Sequence, residues 1–582
     1  FQAEDGIRDL VRSRGLGDVY KRQVFRVSIN AEIFNGYTLF SPTGGGPNGA
    51  TGGTSYLLDN NMNSVHTWVH PRGAASMPYL LADSSIIYPY RVENPTMSAG
   101  GVGGGVAHIS WDGTILWQYT ISDEVYQHHH DVQPLPNGNI LVIVWEKKSA
   151  AQAYAMGRVS INNPLGEMWS TAILEFEMVP PNEVNIVWEW HLWDHLVQDS
   201  DQSLPGYGVI SEHPELMDIN FGNVGGGGGP GGSNADWMHI NAIDYNPILD
   251  QIVISSRHQN EIYIIDHSTT TDEAAGHTGG NSGKGGDFLY RWGNPTAYDR
   301  GSTSSQRLDS QHGVNWIKEG YPGAGNLILY NNNYGDLSSA VFEISPPLDL
   351  DSINYVISDS EPFGPEEIEW MVTGDFHSNV QSGAFRLPNG NTLISVADDA
   401  TIFEVDSSGN TVWDYEYPGV NIMIARAQKY SVDFLGGEDT TGFPEEFMAH
   451  VVISEDDMSV NDCFGVHHHA LLGNNSLFIE VPSDRYGFPR LVASHYLPAS
   501  ETHDTLADWG FYRRVASQAD WLVARMDGDT ETEDLAYAKL IDSPELRYMG
   551  EWSDGRTVEE LRVWDDPLNS SKFTHCNTWT GP

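Results

Sequence analysis

Two stretches far apart in the chain, HHHDVQPLPNGNILVIVWE at 128–146 and HSNVQSGAFRLPNGNTLIS at 377–395, share the core LPNGN followed by an apolar strand. This internal repeat constrains the fold more than any other feature. DWMHINAIDYNPILDQIVISSRH at 236–258 and QHGVNWIKEGYPGAGNLILYNN at 311–332 are looser copies. Each copy sets a histidine at or just before the start of its strand: His130, His239, His312 and His377. When a β-rich unit repeats around a circle, equivalent positions of successive units converge on the axis. Histidines at such positions would meet there. The steps between them are 109, 73 and 65 residues (239−130, 312−239 and 377−312), longer than minimal blades because loops are inserted.

The fold class expected is therefore all-β, a propeller with a C-terminal β-rich extension. A length of 582 residues suits one ring of small sheets, and 40% hydrophobic residues with 18 Trp provide ample core. Sixty Gly, 30 Pro and many Asn-Gly or Asp-Gly steps favour short strands and tight turns. A turn followed by Trp recurs in DGTILWQY, NEVNIVWEW, GGDFLYRWGNP, EEIEWMV and SGNTVWDYEYP, and each such Trp is expected to fill the same space between neighbouring blades.

Charge limits the partners. Thirty Lys plus Arg against 79 Asp plus Glu give a net charge of −49, which argues against nucleic acid or an anionic membrane, because phosphate binding needs clustered cations. An acidic surface of this kind keeps a protein soluble in a salty medium. No run of 18 or more apolar residues occurs, so no membrane span is expected. Cys463 and Cys576 allow one disulfide at most.

Residues 1–23, FQAEDGIRDLVRSRGLGDVYKRQ, resemble a translated sequencing adapter and are set aside as non-native. The propeller is then assigned to 24–435, with 436–582 either closing the ring or forming an appended β-rich region. FGNVGGGGGPGGSN at 221–234 reads as a flexible loop, and HTGGNSGKGGD at 277–287 is expected to line the mouth of the ring. GRTVEELRVWDDPLNSS at 555–571 faintly resembles the closing strand of jelly-roll lectin-like domains.

The segments GYTLFSP, HHHDVQPLPNGNILV, WHLWDHLVQD, the long run from Asp236 to the GHTGG motif, GGDFLYRWGNP, SQHGVNWI and SGAFRLPNGNTLIS closely resemble the arylsulfotransferase family. These enzymes move a sulfuryl group between phenols without a nucleotide sulfate donor. The likeness spans roughly residues 36 to 418. It implies six blades and a polar site in the axial channel, with no cofactor, and small-molecule aryl sulfates and phenols as partners. It also implies a periplasmic or extracellular location, with a signal peptide expected to be missing from this fragment. The family's H-x-N with an Arg 18 residues after the His corresponds to His239, Asn241 and Arg257, and its transiently sulfated histidine corresponds to His312. The HHD segment supplies His130 as proton donor or acceptor, with His129 and Asn241 as substrate-binding groups. Gly313 departs from the family, which often has an acidic residue after the nucleophilic histidine.

The chemistry fits these residue types. Sulfuryl transfer passes through a loose state with charge spread over three equatorial oxygens, so positioning and electrostatic complementarity dominate. Arg257 suits two sulfo oxygens, with Asn241 and a protonated His239 holding others, while a neutral His312 attacks sulfur. Cationic neighbours favour the neutral imidazole. The rival reading is an inactive extracellular propeller that binds sulfated or aromatic ligands.

Other histidines are read as structural. His258 follows Arg257 and is expected on the opposite strand face. His377 lies too far ahead of its LPNGN, and Ser382 takes the register of His130. Three consecutive histidines at 128–130 or 467–469 alternate faces and cannot share one ion without a bend, so no metal is expected. His191 and His195 are assigned to packing.

Overall fold

The computed structural model describes residues 33–44, 52–225, 233–335, 337–349, 352–418 and 422–435, with four two-residue strands between 450 and 479. Six four-stranded antiparallel sheets form a six-bladed β-propeller. Blade 1 contains Gly36–Gly44, Gly53–Leu58 and Ser64–His70, and its innermost strand, Ile422–Ser431, arrives from the other end of the ring. Blade 2 runs from Tyr79–Leu80 through Ile86–Arg91 and Gly104–Ile109 to Ile115–Thr120. Blade 3 comprises Tyr126–Pro134, Ile140–Ser149, Glu167–Val179 and Glu183–His191. Blade 4 comprises Ile240–Asn246, Gln251–Ser256, Glu261–Asp266 and Tyr290–Trp292. Blade 5 comprises His312–Trp316, Leu327–Gly335, Ser338–Ile344 and Trp370–Thr373. Blade 6 comprises Gly383–Arg386, Thr392–Val396, Thr401–Val405 and Thr411–Glu416.

The seam of the ring is a strand pair. Ile422–Ser431 lies antiparallel to Gly36–Gly44, running from Gly36 opposite Ser431 to Gly44 opposite Ile422. This closing strand lies before residue 436. Residues 1–23, both cysteines, the histidines at 467–469 and the 555–571 segment lie outside the described residues.

Position within a blade explains the sequence patterns. Gln251–Ser256 and Glu261–Asp266 are buried at every position because neighbouring blades cover both faces. Strands covered on both sides read as apolar runs rather than alternating ones. The outermost strand Ser64–His70 has one wet face, and along it Thr67 and Val69 are exposed while Trp68 and His70 are buried.

The repeated tryptophans stand on the six outermost strands, and each donates its indole N–H to the next blade. Trp68 bonds to Ser110 O at 3.1 Å, Trp117 to Glu183 O at 2.8 Å and Trp188 to Thr269 Oγ1 at 3.2 Å. Trp292 bonds to Pro365 O at 2.9 Å, Trp370 to Ser407 O at 2.9 Å and Trp413 to Asn60 O at 3.0 Å, which completes the circle. A large ring with one polar handle suits a site that is apolar but bordered by a carbonyl. Trp413 is fully buried, and Lys429 Nζ sits 4.8 Å from its ring centroid. Trp413→Ala should cost about 3–5 kcal/mol. Trp413→Phe, which keeps most of the volume, should cost about 1 kcal/mol for the lost hydrogen bond. Urea unfolding midpoints measure both, and equal costs would remove the interlock.

Candidate active site

Four innermost strands break register. The shifts fall between His128 and Val132 in blade 3, between Ile240 and Ala242 in blade 4, between His312 and Asn315 in blade 5, and in blade 1 between Ile424 and Ala427, which pair with Pro42 and Phe40. Left-handed residues accompany the first three: His130 at φ 57°, His239 at φ 52° and Gly313 at φ 69°. Ser382 in blade 6 has φ 79°, in keeping with its register match to His130. A bulge re-aims side chains that a regular strand would send to alternate faces. For a non-glycine residue this backbone costs on the order of 1 kcal/mol or more, and such residues cluster at functional sites.

The bulges bring the imidazoles together. His130 Nε2 lies 3.1 Å from His239 Nε2, and the His130 ring centroid is 6.0 Å from that of His312. His129 packs 4.5 Å from His130 and 4.9 Å from His239, centroid to centroid. Its other face stacks on Trp145 at 3.8 Å, and its Nε2 donates to Gly100 O at 3.1 Å. His239 Nδ1 donates to Asp236 Oδ2 at 2.5 Å, while Asp236 Oδ1 takes Trp145 Nε1–H at 2.9 Å.

His312 has a fixed tautomer. Its Nδ1 lies 2.8 Å from Asn332 Oδ1. The Asn332 amide nitrogen is engaged by Ser378 O at 2.8 Å and Gln381 O at 3.1 Å, so the oxygen must face His312 and accept the Nδ1 proton. Nε2 is left as the basic nitrogen. The backbone N–H of Arg257 donates to His239 O at 3.1 Å, and the guanidinium charge lowers the proton affinity of His312. That guanidinium has no hydrogen-bond or ion-pair partner among the described residues, although Asp309 and Asp236 lie near enough to stabilise its charge.

A second cation is already committed. Arg426, on the closing strand, pairs with Asp131 and donates to Tyr79 Oη at 3.3 Å, while Tyr79 Oη–H donates to Asp131 Oδ1 at 2.9 Å. Asp131 is fully buried. Gly313 is required here. A Cβ at this position would lie 2.8 Å from Gly383 Cα and 3.4 Å from Arg426 Cδ. No side chain fits between these strands without moving them.

Burial sets the protonation of the cluster. It holds His129, His130 and His312 well below the usual imidazole range. For His312 the Asn332 bond opposes the shift while Arg257 and His239 add to it. Burial alone would raise the Asp236 carboxyl, but His239, His258 and His129 bring it below the ordinary range. Asp236 is thus an anion that holds the Nδ1 proton of His239.

Several expectations are corrected. His258 was placed on the opposite strand face, yet its ring centroid is 4.7 Å from that of His239. The strand ends at Ser256, so alternation no longer applies. The argument against three histidines sharing an ion fails for His129 and His130, because the bulge is the required bend. Nitrogens of His129, His130 and His239 lie within 4.8 Å of one another. The 277–287 loop packs against the outer edge of blade 3, where Gly286 O accepts Trp190 Nε1–H at 2.7 Å, instead of lining the mouth. His195 is fully buried, between Asp287 Oδ1 and Ala274 O at 2.8 Å each. His191 ends a strand and faces Glu146 and Glu189. Asn241 Nδ2 donates to Gln311 O at 2.7 Å and ties blade 4 to the residue before His312. His377 contacts Ser339 Oγ at 3.3 Å, outside the axial group.

Sequence reading missed Asn332, Asp236, Arg426 and the glycine run 100–105. Those glycines pass over the imidazoles so closely that a Cβ on Gly101 would lie 2.0 Å from His130 Nε2, and one on Gly103 2.2 Å from His128 Nδ1. The signal was visible as GGVGGG, a run too glycine-rich for an ordinary strand.

A family model described as Arylsulfotransferase (ASST) matches residues 91–345. No curated protein matches. Among solved structures, a protein of unknown function from Bacteroides caccae is 12% identical, with 68% of this chain and 98% of that chain covered and a TM-score of 0.36. The periplasmic gluconolactonase PpgL of Pseudomonas aeruginosa is 11% identical, with 68% and 99% covered and a TM-score of 0.32.

Proposed function

We propose that this chain, which belongs to the arylsulfotransferase family over residues 91–345, moves a sulfuryl group from an aryl sulfate to a phenolic acceptor through a sulfohistidine at His312, with no nucleotide donor. The observation that carries the proposal is His312 itself: a buried imidazole with Nδ1–H locked on Asn332, beside the Arg257 guanidinium, which has no hydrogen-bond or ion-pair partner among the described residues. In the first half reaction His312 Nε2 forms a bond to sulfur as the sulfur–oxygen bond to the aryl group breaks. Arg257 and the Nε2–H of His239 take the charge of the sulfo oxygens, with Asn241 and His129 bordering the pocket. The leaving phenolate takes a proton from His130. In the second half the acceptor oxygen attacks sulfur, the nitrogen–sulfur bond breaks and the acceptor's proton returns along the same path. Location outside the cytoplasm belongs to the same proposal and follows from the family resemblance.

Steady-state kinetics with a chromogenic aryl sulfate and a second phenol test it. The expected result is parallel double-reciprocal lines, with donor phenol release dependent on acceptor and one sulfo group on His312 in protein treated with donor alone. Equal release with and without acceptor would make the protein a sulfatase. Absence of release together with binding of the aryl sulfate would establish the binding-module reading.

A further inference from the structure

We infer that His129, His130 and His239 form a three-nitrogen site for Zn²⁺, which excludes the sulfate ester. The inference rests on the reading above only for that exclusion; metal binding stands on the geometry. Three imidazole nitrogens within 4.8 Å of one another need modest ring rotations to reach the spacing of a tetrahedral zinc, whose bonds to nitrogen are about 2.0–2.1 Å. Two of the rings already carry the outer partners that zinc-bound histidines require. His239 Nδ1–H is held by the Asp236 carboxylate, and His129 Nε2–H by Gly100 O. The Asp236 bond leaves His239 Nε2 toward His130, 3.1 Å from its Nε2.

The independent observation is His129 Nδ1. His129 is fully buried, and Nδ1 has no hydrogen-bond partner among the described residues. With Nε2–H given to Gly100, Nδ1 is a bare lone pair in the interior. A buried acceptor left unpaired costs about 1–3 kcal/mol, and a cation would relieve it. The same Asp236 that holds His239 also holds Trp145, the ring on which His129 stacks, so one carboxylate sets the direction of two ligands. Asp236 also supplies a negative charge beside the three rings. A single nitrogen cannot both ligate a metal and donate a proton, so zinc on His239 Nε2 and His130 Nε2 removes the groups that would bind the sulfo oxygens and protonate the phenolate. The site takes a metal or a sulfate ester, never both.

Calorimetric titration of the dialysed, metal-free full chain with ZnCl2, without substrate, reads the site directly. One zinc ion per chain is expected, with affinity reduced at least 10-fold in both His129→Ala and His129→Gln. Asp236→Asn, which removes the outer partner's charge, should weaken binding about 10–100-fold. Circular dichroism verifies that each variant is folded, and the glutamine variant keeps the slot against Trp145 filled. His277→Ala, which alters the separate group of His195, His277 and Asp287, should leave binding intact. Absence of zinc binding, retention in both His129 variants, or loss in His277→Ala would overturn the inference. A protein that binds zinc at this site but turns over no aryl sulfate would leave the site standing and refute the transferase reading alone.

Discussion

His312→Ala should slow donor phenol release from a chromogenic aryl sulfate by at least about four orders of magnitude, the scale seen when a covalent nucleophile is removed. Binding of the aryl sulfate should survive, because Arg257 and His239 remain. The wild-type rate should also stay level as pH falls from about 8 to about 6. An unperturbed imidazole with a pKa near 6.5 would lose its nucleophilic form across that window. Burial, with help from Arg257 and His239, lowers the proton affinity of His312, so its neutral form persists below the ordinary titration range. Presteady-state release measured across pH gives both results. A sharp acid limb centred near the unperturbed value in the release step would refute the assignment of His312 as nucleophile.

Arg426→Met should destabilise the protein by about 3–5 kcal/mol, because it leaves the Asp131 carboxylate buried without its charge partner. The remaining donors, Tyr79 Oη–H at 2.9 Å, Ser76 Oγ–H at 3.4 Å and Ile243 N–H at 3.3 Å, are neutral. Burial and the Asp131 charge raise the Tyr79 hydroxyl well above its usual range, so it stays a donor at every working pH. The double variant Asp131→Leu with Arg426→Met should recover much of the loss, since removing both charges also removes the desolvation they impose. Urea unfolding of the three proteins measures this, and a single-variant cost below about 1 kcal/mol would show that the pair holds nothing together. The location matters as much as the magnitude. Arg426 comes from the seam strand, Tyr79 from blade 2, Asp131 from blade 3, and the three meet at the axis.

The fold was legible because its signals were local and repeated. LPNGN, the turn-Trp pairs and the spaced histidines each report one blade, and circular repetition does the rest. Trp68 escaped although a turn at Asp59–Asn63 precedes its strand just as turns precede the others, because DNNMN was not recognised as that turn. The convergence of His130, His239 and His312 was legible through motif and spacing. Their supports were not. Asn332 lies 20 residues from His312 in an ordinary-looking NNN, and only strand pairing shows that its amide faces the ring. His258 was misassigned because the alternation of strand side chains was carried past the end of the strand at Ser256. His129 was expected as a substrate-binding group, but the bulge that brings it and His130 beside His239 depends on φ 57° at one residue, which no composition reveals.

The radial plan has a bearing on how such a chain tolerates length change. The angle separating His130, His239 and His312 is set by how many blades complete the circle, while the 109 and 73 residues that separate them along the chain are spent largely at the rim. Extra residues in a rim loop lengthen the path from one histidine to the next without altering where either one points. The hub and the periphery are therefore free to diverge at different rates, and chemistry at the centre can be kept while the outside is rebuilt for new surroundings.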